Sequence, residues 1–377
     1  MKYLKSSFFV LATFVLLLTG GCSGNSSKEQ KVSLDSAEYA KGFRYTEYDN
    51  YTLLDIVSPW DSTASLGQFV LAEKNFVLPS ELDREYKRIN IPIESAVGSN
   101  TTQCENIIRL NSLEIITAVF EANYIQSASL KERISQGKVV DLGESSQMNV
   151  EQVIQLNPSL IFTSPYEGQK DNKMSTLQTT LLPYLDYMED TPLGQVEWIK
   201  VIGLLLDKKE LADSLFSATE DKYQELCKLC SNIEDKPTVF GEIKTGSTWY
   251  ISSGKSYIAN MYKDAGADYI FRGITQTGSV PYSEEKVFDE AFNADFWLIK
   301  HHHPVDLTLT SLKQQEPLYS EFEAYKDGDV FFCNTSKKPY YEEVSLYPDR
   351  LLSDLIAIFH PSLLPNHQFY YYQKMAL

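Results

Sequence analysis

The sequence predicts an α/β protein of two units with a long helical stretch between them, and three observations predict it. From Pro92 onward, short apolar runs of strand length alternate with helically spaced apolar residues, the pattern of a parallel sheet with crossover helices. The chain, at 377 residues, exceeds what one core comfortably fills. Two stretches also echo one another. Asn149-Val150-Glu151-Gln152-Val153 leads through Asn157-Pro158 to an apolar run at 160–163, and Ser283-Glu284-Glu285-Lys286-Val287 leads through Asn293-Ala294 to another at 296–299. In each, a polar residue that can accept orphan amide protons opens a helix. A glutamate follows two places on, where the helix dipole favours negative charge.

Taken in order, the chain begins with Lys2 and Lys5, an apolar run at 8–18, and the small residues Thr19, Gly20 and Gly21 before Cys22. That is the pattern of a secretory signal over 1–21, too short to span a bilayer as a mature helix. A cysteine at the junction resembles the bacterial lipobox, in which the thiol and the freed amine are acylated; Leu18 stands one place farther from Cys22 than the usual lipobox leucine. The implied product is exported and membrane-anchored through Cys22. Residues 22–34 are largely polar and small, as in a flexible tether.

Residues 35–206 hold a strand-rich segment and the first α/β unit. The stretch 38–95 is rich in Tyr, Val and Leu with turn residues between them and predicts short strands. A strand at 93–97, the turn Gly98-Ser99-Asn100-Thr101 and a helix carrying Ile107, Leu110, Leu113, Ile116 and Val119 follow, then strands at 139–142 and 160–163. Over 207–231, Asp207 with Glu210 predicts a cap-and-box helix start, and Leu211, Leu215, Tyr223 and Leu226 keep helical spacing up to Cys230. Residues 232–377 form the second unit, with strands near 239–243, 296–299 and 330–333 and a helical tail.

The formal net charge is −17, and the segment before Cys22 contains two lysines and no acid, so the remainder is more acidic still. Nucleic acid is disfavoured as a partner, because phosphate neutralisation needs a basic surface. Apart from Cys22 there are four cysteines, too few for a disulfide scaffold in a chain this long. Cys227 and Cys230 form a CxxC near a helix end with no second pair or neighbouring histidine, which reads as structural.

Further residues carry a resemblance. Gly137-Lys138-Val139-Val140-Asp141-Leu142-Gly143, Asn157-Pro158-Ser159-Leu160-Ile161 and Pro192-Leu193-Gly194-Gln195-Val196-Glu197-Trp198-Ile199 are similar to segments of the helical-backbone periplasmic binding proteins. So are Trp249-Tyr250-Ile251-Ser252, Asp264-Ala265-Gly266-Ala267-Asp268-Tyr269 and Phe359-His360-Pro361-Ser362-Leu363-Leu364-Pro365. That class serves ABC importers of iron–siderophore, haem and cobalamin. The resemblance covers about residues 92–375 and implies two α/β lobes joined by a long backbone helix, with a ligand cleft between them. It implies a small metal-bearing ligand as cargo and an ABC permease dimer as partner, with no resident cofactor, no protein metal site and no enzymatic activity. It also implies that Glu151 and Glu285, one per lobe, meet arginines on the permease. The segment before residue 92 is not part of the minimal family core.

Strand-end loops supply the candidate ligand contacts: Ser164, Tyr166, Tyr250, Ser279, His301 and Tyr340. Aromatic faces suit a bulky ligand, and Trp249, Tyr282 and Tyr341 lie on similar loops. Within His301-His302-His303, extended-chain alternation sends His301 and His303 to one side; imidazole can ligate a metal or hydrogen-bond an anion. Lys337, Lys338 and Arg350 are cations suited to carboxylate or catecholate groups. Gly254-Lys255-Ser256 lacks the earlier glycine of a phosphate loop, since Trp249 stands there. No GxSxG or HExxH occurs, although catalytic groups can converge in space alone. A lipoprotein metal chelatase, or a ligand-capture accessory without a permease, stays open as the alternative.

Overall fold

A computed structural model describes residues 31–33, 37–168, 174, 177–276 and 278–377. Residues 1–21, expected to be a secretory signal, and Cys22 lie outside the described residues. Among the described residues, no helix is long and apolar enough to cross a membrane.

Two five-stranded sheets organise the two lobes. In the first, the strands run in the order Thr180–Pro183, Leu160–Thr163, Ala96–Gly98, Ile116–Val119, Val140–Asp141, all parallel. In the second the order is Asp268–Tyr269, Thr238–Gly241, Phe296–His301, Val330–Asn334, Gln373–Lys374, parallel except at the last pair. Each sheet reverses its direction of winding beside its first strand. The switch points are therefore the pairs Ala96–Gly98 with Leu160–Thr163 and Thr238–Gly241 with Phe296–His301, where open α/β sheets hold ligands at the strands' carboxyl ends.

The strand-rich segment is a third sheet, in the order Lys31–Ser33, Phe43–Tyr48, Tyr51–Val57, Ser65–Glu73, Lys87–Ile91. It is bound into the first lobe. Phe43, Leu54, Phe69 and Ile89 share one core with Trp198, Ile202, Ile107 and Leu160. Buried Glu197 accepts the backbone N–H groups of Glu38, Tyr39 and Ala40 at 2.8–2.9 Å and the Lys200 ammonium at 2.8 Å. Glu189 accepts those of Lys41 and Gly42 and the Trp198 indole N–H. Any side chain at residue 42 would begin 2.6 Å from the Trp198 ring, so only glycine lets this strand approach.

The connector helix runs Lys209–Cys230, 22 residues, or ~33 Å at the α-helical rise. Its Ala212 and Phe216 belong to the first-lobe core, and Tyr223 and Cys230 to the second. Each half is thus buried in a different lobe, and the Tyr223 hydroxyl donates to Asp264 at 2.6 Å. Its expected cap is absent: Asp207 sits at φ 54°, and Lys208 precedes the helix without a side-chain cap. The left-handed residue turns the chain sharply from helix Ile199–Leu205 into the connector, which a capping aspartate in extended conformation could not do.

A second expectation also fails. The helix after Ala96–Gly98 is only Thr101–Arg109, and Ile116 and Val119 lie on a strand. Asn111 at φ 52° ends the helix, and β-branched Ile115-Ile116-Thr117 leads into the sheet. Both segments face one core, so their apolar residues kept a helical spacing by coincidence. Helices Val150–Leu156 and Glu284–Ala291 do open at Asn149 and Ser283, whose side chains accept from Gln152 and Lys286 N–H. Beyond the three expected strands, the second sheet gains edge strands at Asp268–Tyr269 and Gln373–Lys374.

Candidate functional site

The two switch points face an interlobe cavity of about 470 Å³. The first lobe contributes Thr101, Tyr124 and Gln126; the second contributes Lys300, His301, His302, Lys338, Tyr340, Tyr341 and Glu342. A cavity of about 500 Å³ adjoins it in the second lobe, sharing Lys300, His301, His302 and Tyr341 and adding Glu242, Lys244, Tyr250 and Ser279. Volumes of this size suit a small-molecule ligand.

At the first switch point the side chains at the strand ends are neutral, and buried Asp186 is linked to them through the Thr102 hydroxyl at 2.7 Å. Asn100 caps helix Thr101–Arg109, and Gln103 reaches back to the N–H groups of Ser99 and Asn100 at 2.8 and 3.3 Å. Ser164 joins this network, 3.1 Å from the Ser99 hydroxyl and 3.2 Å from the Asn100 amide. At the second switch point an ion pair takes that place. Lys300 donates from its ammonium to Glu242, and its N–H meets the other carboxylate oxygen at 3.2 Å. Burial opposes the Lys300 charge and the Glu242 carboxylate more than offsets it, so the ammonium pKa lies above its ordinary value. Glu242 adopts φ 66°, a left-handed conformation unusual for a non-glycine, while its carbonyl accepts the Trp297 indole N–H at 2.8 Å.

Of the predicted contacts, Tyr250, Ser279, His301 and Tyr340 line these cavities. Ser164 is tied into the first-lobe network and Tyr166 is exposed on its loop; neither lines these two cavities. Tyr340 is mostly buried against Tyr371 and Tyr372, and its neighbour Tyr341 presents the open ring. Trp249 is wholly buried among Trp297, Tyr319 and Phe322 and belongs to the core. The His301 and His303 rings lie side by side at 5.4 Å, and His302 is 3.1 Å from the Thr335 hydroxyl. Desolvation holds the His301 pKa below its ordinary value, so that ring is neutral at pH 7.

The cations divide. Lys337 pairs with Asp306 at 2.9 Å, and Arg350 pairs with Glu343 at 2.8 Å beside the connector helix, away from the cleft. Lys338 lines the cavity. Sequence reasoning missed Tyr124, Gln126, Glu242, Lys300 and Glu342. Tyr124 and Gln126 carried no motif, and Glu242 and Lys300 meet across 58 residues.

The lobes also touch directly beside the cavity. Buried Glu342 accepts the N–H groups of Gln126 and Ser127, and Arg109 donates to the Leu346 carbonyl at 3.2 Å while lying over the Tyr347 ring. Glu105 is drawn into the same contact with one carboxylate oxygen buried and unpartnered. Desolvation first, then Glu342 and Glu343, push its pKa up to about 6.

Glu151 and Glu285 sit in the first turns of their helices, exposed and outside both cavities. Glu284 instead turns back to Lys244 at 2.9 Å. Gly254 packs against the Arg272 carbonyl, where a side chain would begin 1.9 Å away, and Ser256 caps helix Tyr257–Asp264; the segment is a turn and a cap. Burial, then Asp264, pushes the Cys227 and Cys230 thiols up to about 12 and about 11, which keeps them protonated.

The family model of periplasmic binding proteins matches residues 100–336, well over half of the chain. The chain belongs to the periplasmic binding protein family. An uncharacterized lipoprotein of Methanocaldococcus jannaschii is 27% identical over 362 residues, covering 89% of this chain and 84% of the relative. Among solved structures, the TroA-like periplasmic binding protein FepB from Veillonella parvula superposes with a TM-score of 0.58 at 18% identity, covering 75% of this chain and 95% of its own. A periplasmic heme-binding protein from Pseudomonas aeruginosa gives a TM-score of 0.56 at 16% identity, covering 72% and 94%. These likenesses establish the two-lobed fold. The family match begins at residue 100, so the N-terminal sheet of this periplasmic binding protein lies outside the matched residues.

Proposed function

We propose that this chain is the solute-binding component of an ABC importer, anchored by lipid at Cys22. It captures an iron–siderophore, or haem or cobalamin, between its lobes and delivers it to a membrane permease. The observation that carries the reading is the cavity at the meeting of two switch points in a periplasmic binding protein fold. Binding proteins for heme among the structural neighbours support the ligand class, and lipoprotein naming of a relative supports the anchor. A Cys22→Ala protein that still reached the membrane at mature size would remove the anchor.

Docking is assigned to Glu151 and Glu285, exposed carboxylates at helix starts, one per lobe. Charge-assisted contacts to permease arginines would orient the complex and speed encounter more than they tighten it. Glu151→Arg with Glu285→Arg is therefore expected to abolish uptake while ligand affinity stays at the wild-type value. Uptake at the wild-type rate with intact ligand affinity would refute the docking role of these two glutamates.

A further inference from the structure

Charge is distributed in the cleft in a way that narrows the ligand, given the reading of this site as a metal-complex receptor. The first-lobe wall, formed by Thr101, Tyr124 and Gln126, carries no ionised group. On the second-lobe wall, Lys300 is occupied by Glu242, and Lys244 by Glu284 and Glu316. Glu342 adds a carboxylate whose hydrogen bonds come from the backbone amides of Gln126 and Ser127, with the Lys131 ammonium acting on it from nearby without a direct ion pair among the described residues. His301 contributes a neutral ring. No arginine lines either cavity among the described residues. Lys338 is the cavity-lining ammonium with no carboxylate partner there.

We infer that the cleft selects a metal complex of net charge between zero and −1, and rejects a polyanionic one. A ligand's charges lose their hydration on entering the cleft and need fixed partners in exchange. One free ammonium can serve one anionic group. A trianionic complex would leave two charges unmatched and would face Glu342 besides. An uncharged organic shell has partners instead in the open rings of Tyr124 and Tyr341, 64% and 60% exposed on opposite walls.

The test is calorimetric titration of the purified protein with four probes: a neutral ferric trihydroxamate, cobalamin, haemin at net charge −1, and a trianionic ferric tricatecholate. At least one of the first three is expected to bind about 100-fold or more tightly than the tricatecholate. Tricatecholate binding that equals or exceeds the others would overturn this inference and leave the importer reading standing. Failure of all four would overturn that reading, and this inference with it. Lys338→Glu supplies a charge-specific check with a neutral ferric trihydroxamate and its analogue bearing one free carboxylate. It is expected to weaken the carboxylate analogue about tenfold more than the neutral complex. Equal losses for both complexes would overturn the assignment of Lys338.

Discussion

The two lobes share a plan and differ in what joins their switch points. In the first, Ser99, Asn100, Gln103 and Ser164 form a ring of neutral hydrogen bonds. In the second, Glu242 and Lys300 form a half-buried ion pair, with Glu242 in a left-handed conformation. A neutral network makes the strand ends behind the first-lobe wall cheap to dry, because its donors and acceptors already serve one another. An ion pair leaves a wall whose potential depends on both members being present. The first lobe thus offers shape, and the second decides charge.

Breaking the ion pair should show this most clearly. Glu242→Ala strands the Lys300 ammonium and is expected to cost about 3–5 kcal/mol of stability, whereas Ser164→Ala should cost about 1 kcal/mol; urea unfolding of both variants measures the difference. If the two losses were equal, the contrast between the lobes would be one of appearance. Glu242→Gln with Lys300→Met should recover most of the loss, since no charge is then left unpaired.

Next in size are the exposed aromatic rings that the two lobes contribute to the cavity. Tyr341→Ala is expected to reduce ligand affinity by about 1–3 kcal/mol, and Tyr124→Ala by less, because Tyr341 borders both cavities and Tyr124 only one. Titration of the native ligand decides it, and a larger loss at Tyr124 would move the weight of recognition to the first lobe.

The smallest effect belongs to the contact between the lobes. Glu105 has a folded-state pKa raised from 4.5 to about 6, so the folded protein holds this proton more tightly than the unfolded chain. Stability should therefore fall as pH rises from about 4.5 through about 6, by at most about 2 kcal/mol from this group, and return on acidification. Glu105→Gln should raise stability at pH 7.5 by about 1–2 kcal/mol and flatten that part of the profile. Chemical denaturation at pH 4.5 and 7.5 checks it; an unchanged slope in the variant would assign the pH dependence to other carboxylates.

Much of the fold was legible because its signals are local. Strand Leu160–Thr163 is an apolar run bounded by Asn157-Pro158, and Asn149 and Ser283 are caps by virtue of their own side chains. His301 could be placed near the cleft because it ends a strand, whereas Tyr250 and Ser279, expected on strand-end loops, lie on the antiparallel pair Trp249–Ser252 and Ser279–Tyr282. Local signals also misled. The apolar spacing through Ile116 and Val119 continued a helix that Asn111 had already ended, and Asp207 looked like a cap where the chain needed a left-handed turn. Backbone conformation at one residue outweighed periodicity over a dozen, since a single left-handed residue redirects everything that follows.

By itself, then, the sequence determined the α/β alternation, the long connector and the candidate glutamates at helix starts, because periodicity and capping act between residues a few places apart. Only the tertiary structure decided how the cleft is charged. Lys300 was an unremarked lysine until the sheet set it against Glu242, 58 residues away, and Gln126 and Glu342 meet across 216. Electrostatic partnership falls off with distance in space and is blind to distance along the chain, so which charges cancel is settled only when the lobes are folded and joined.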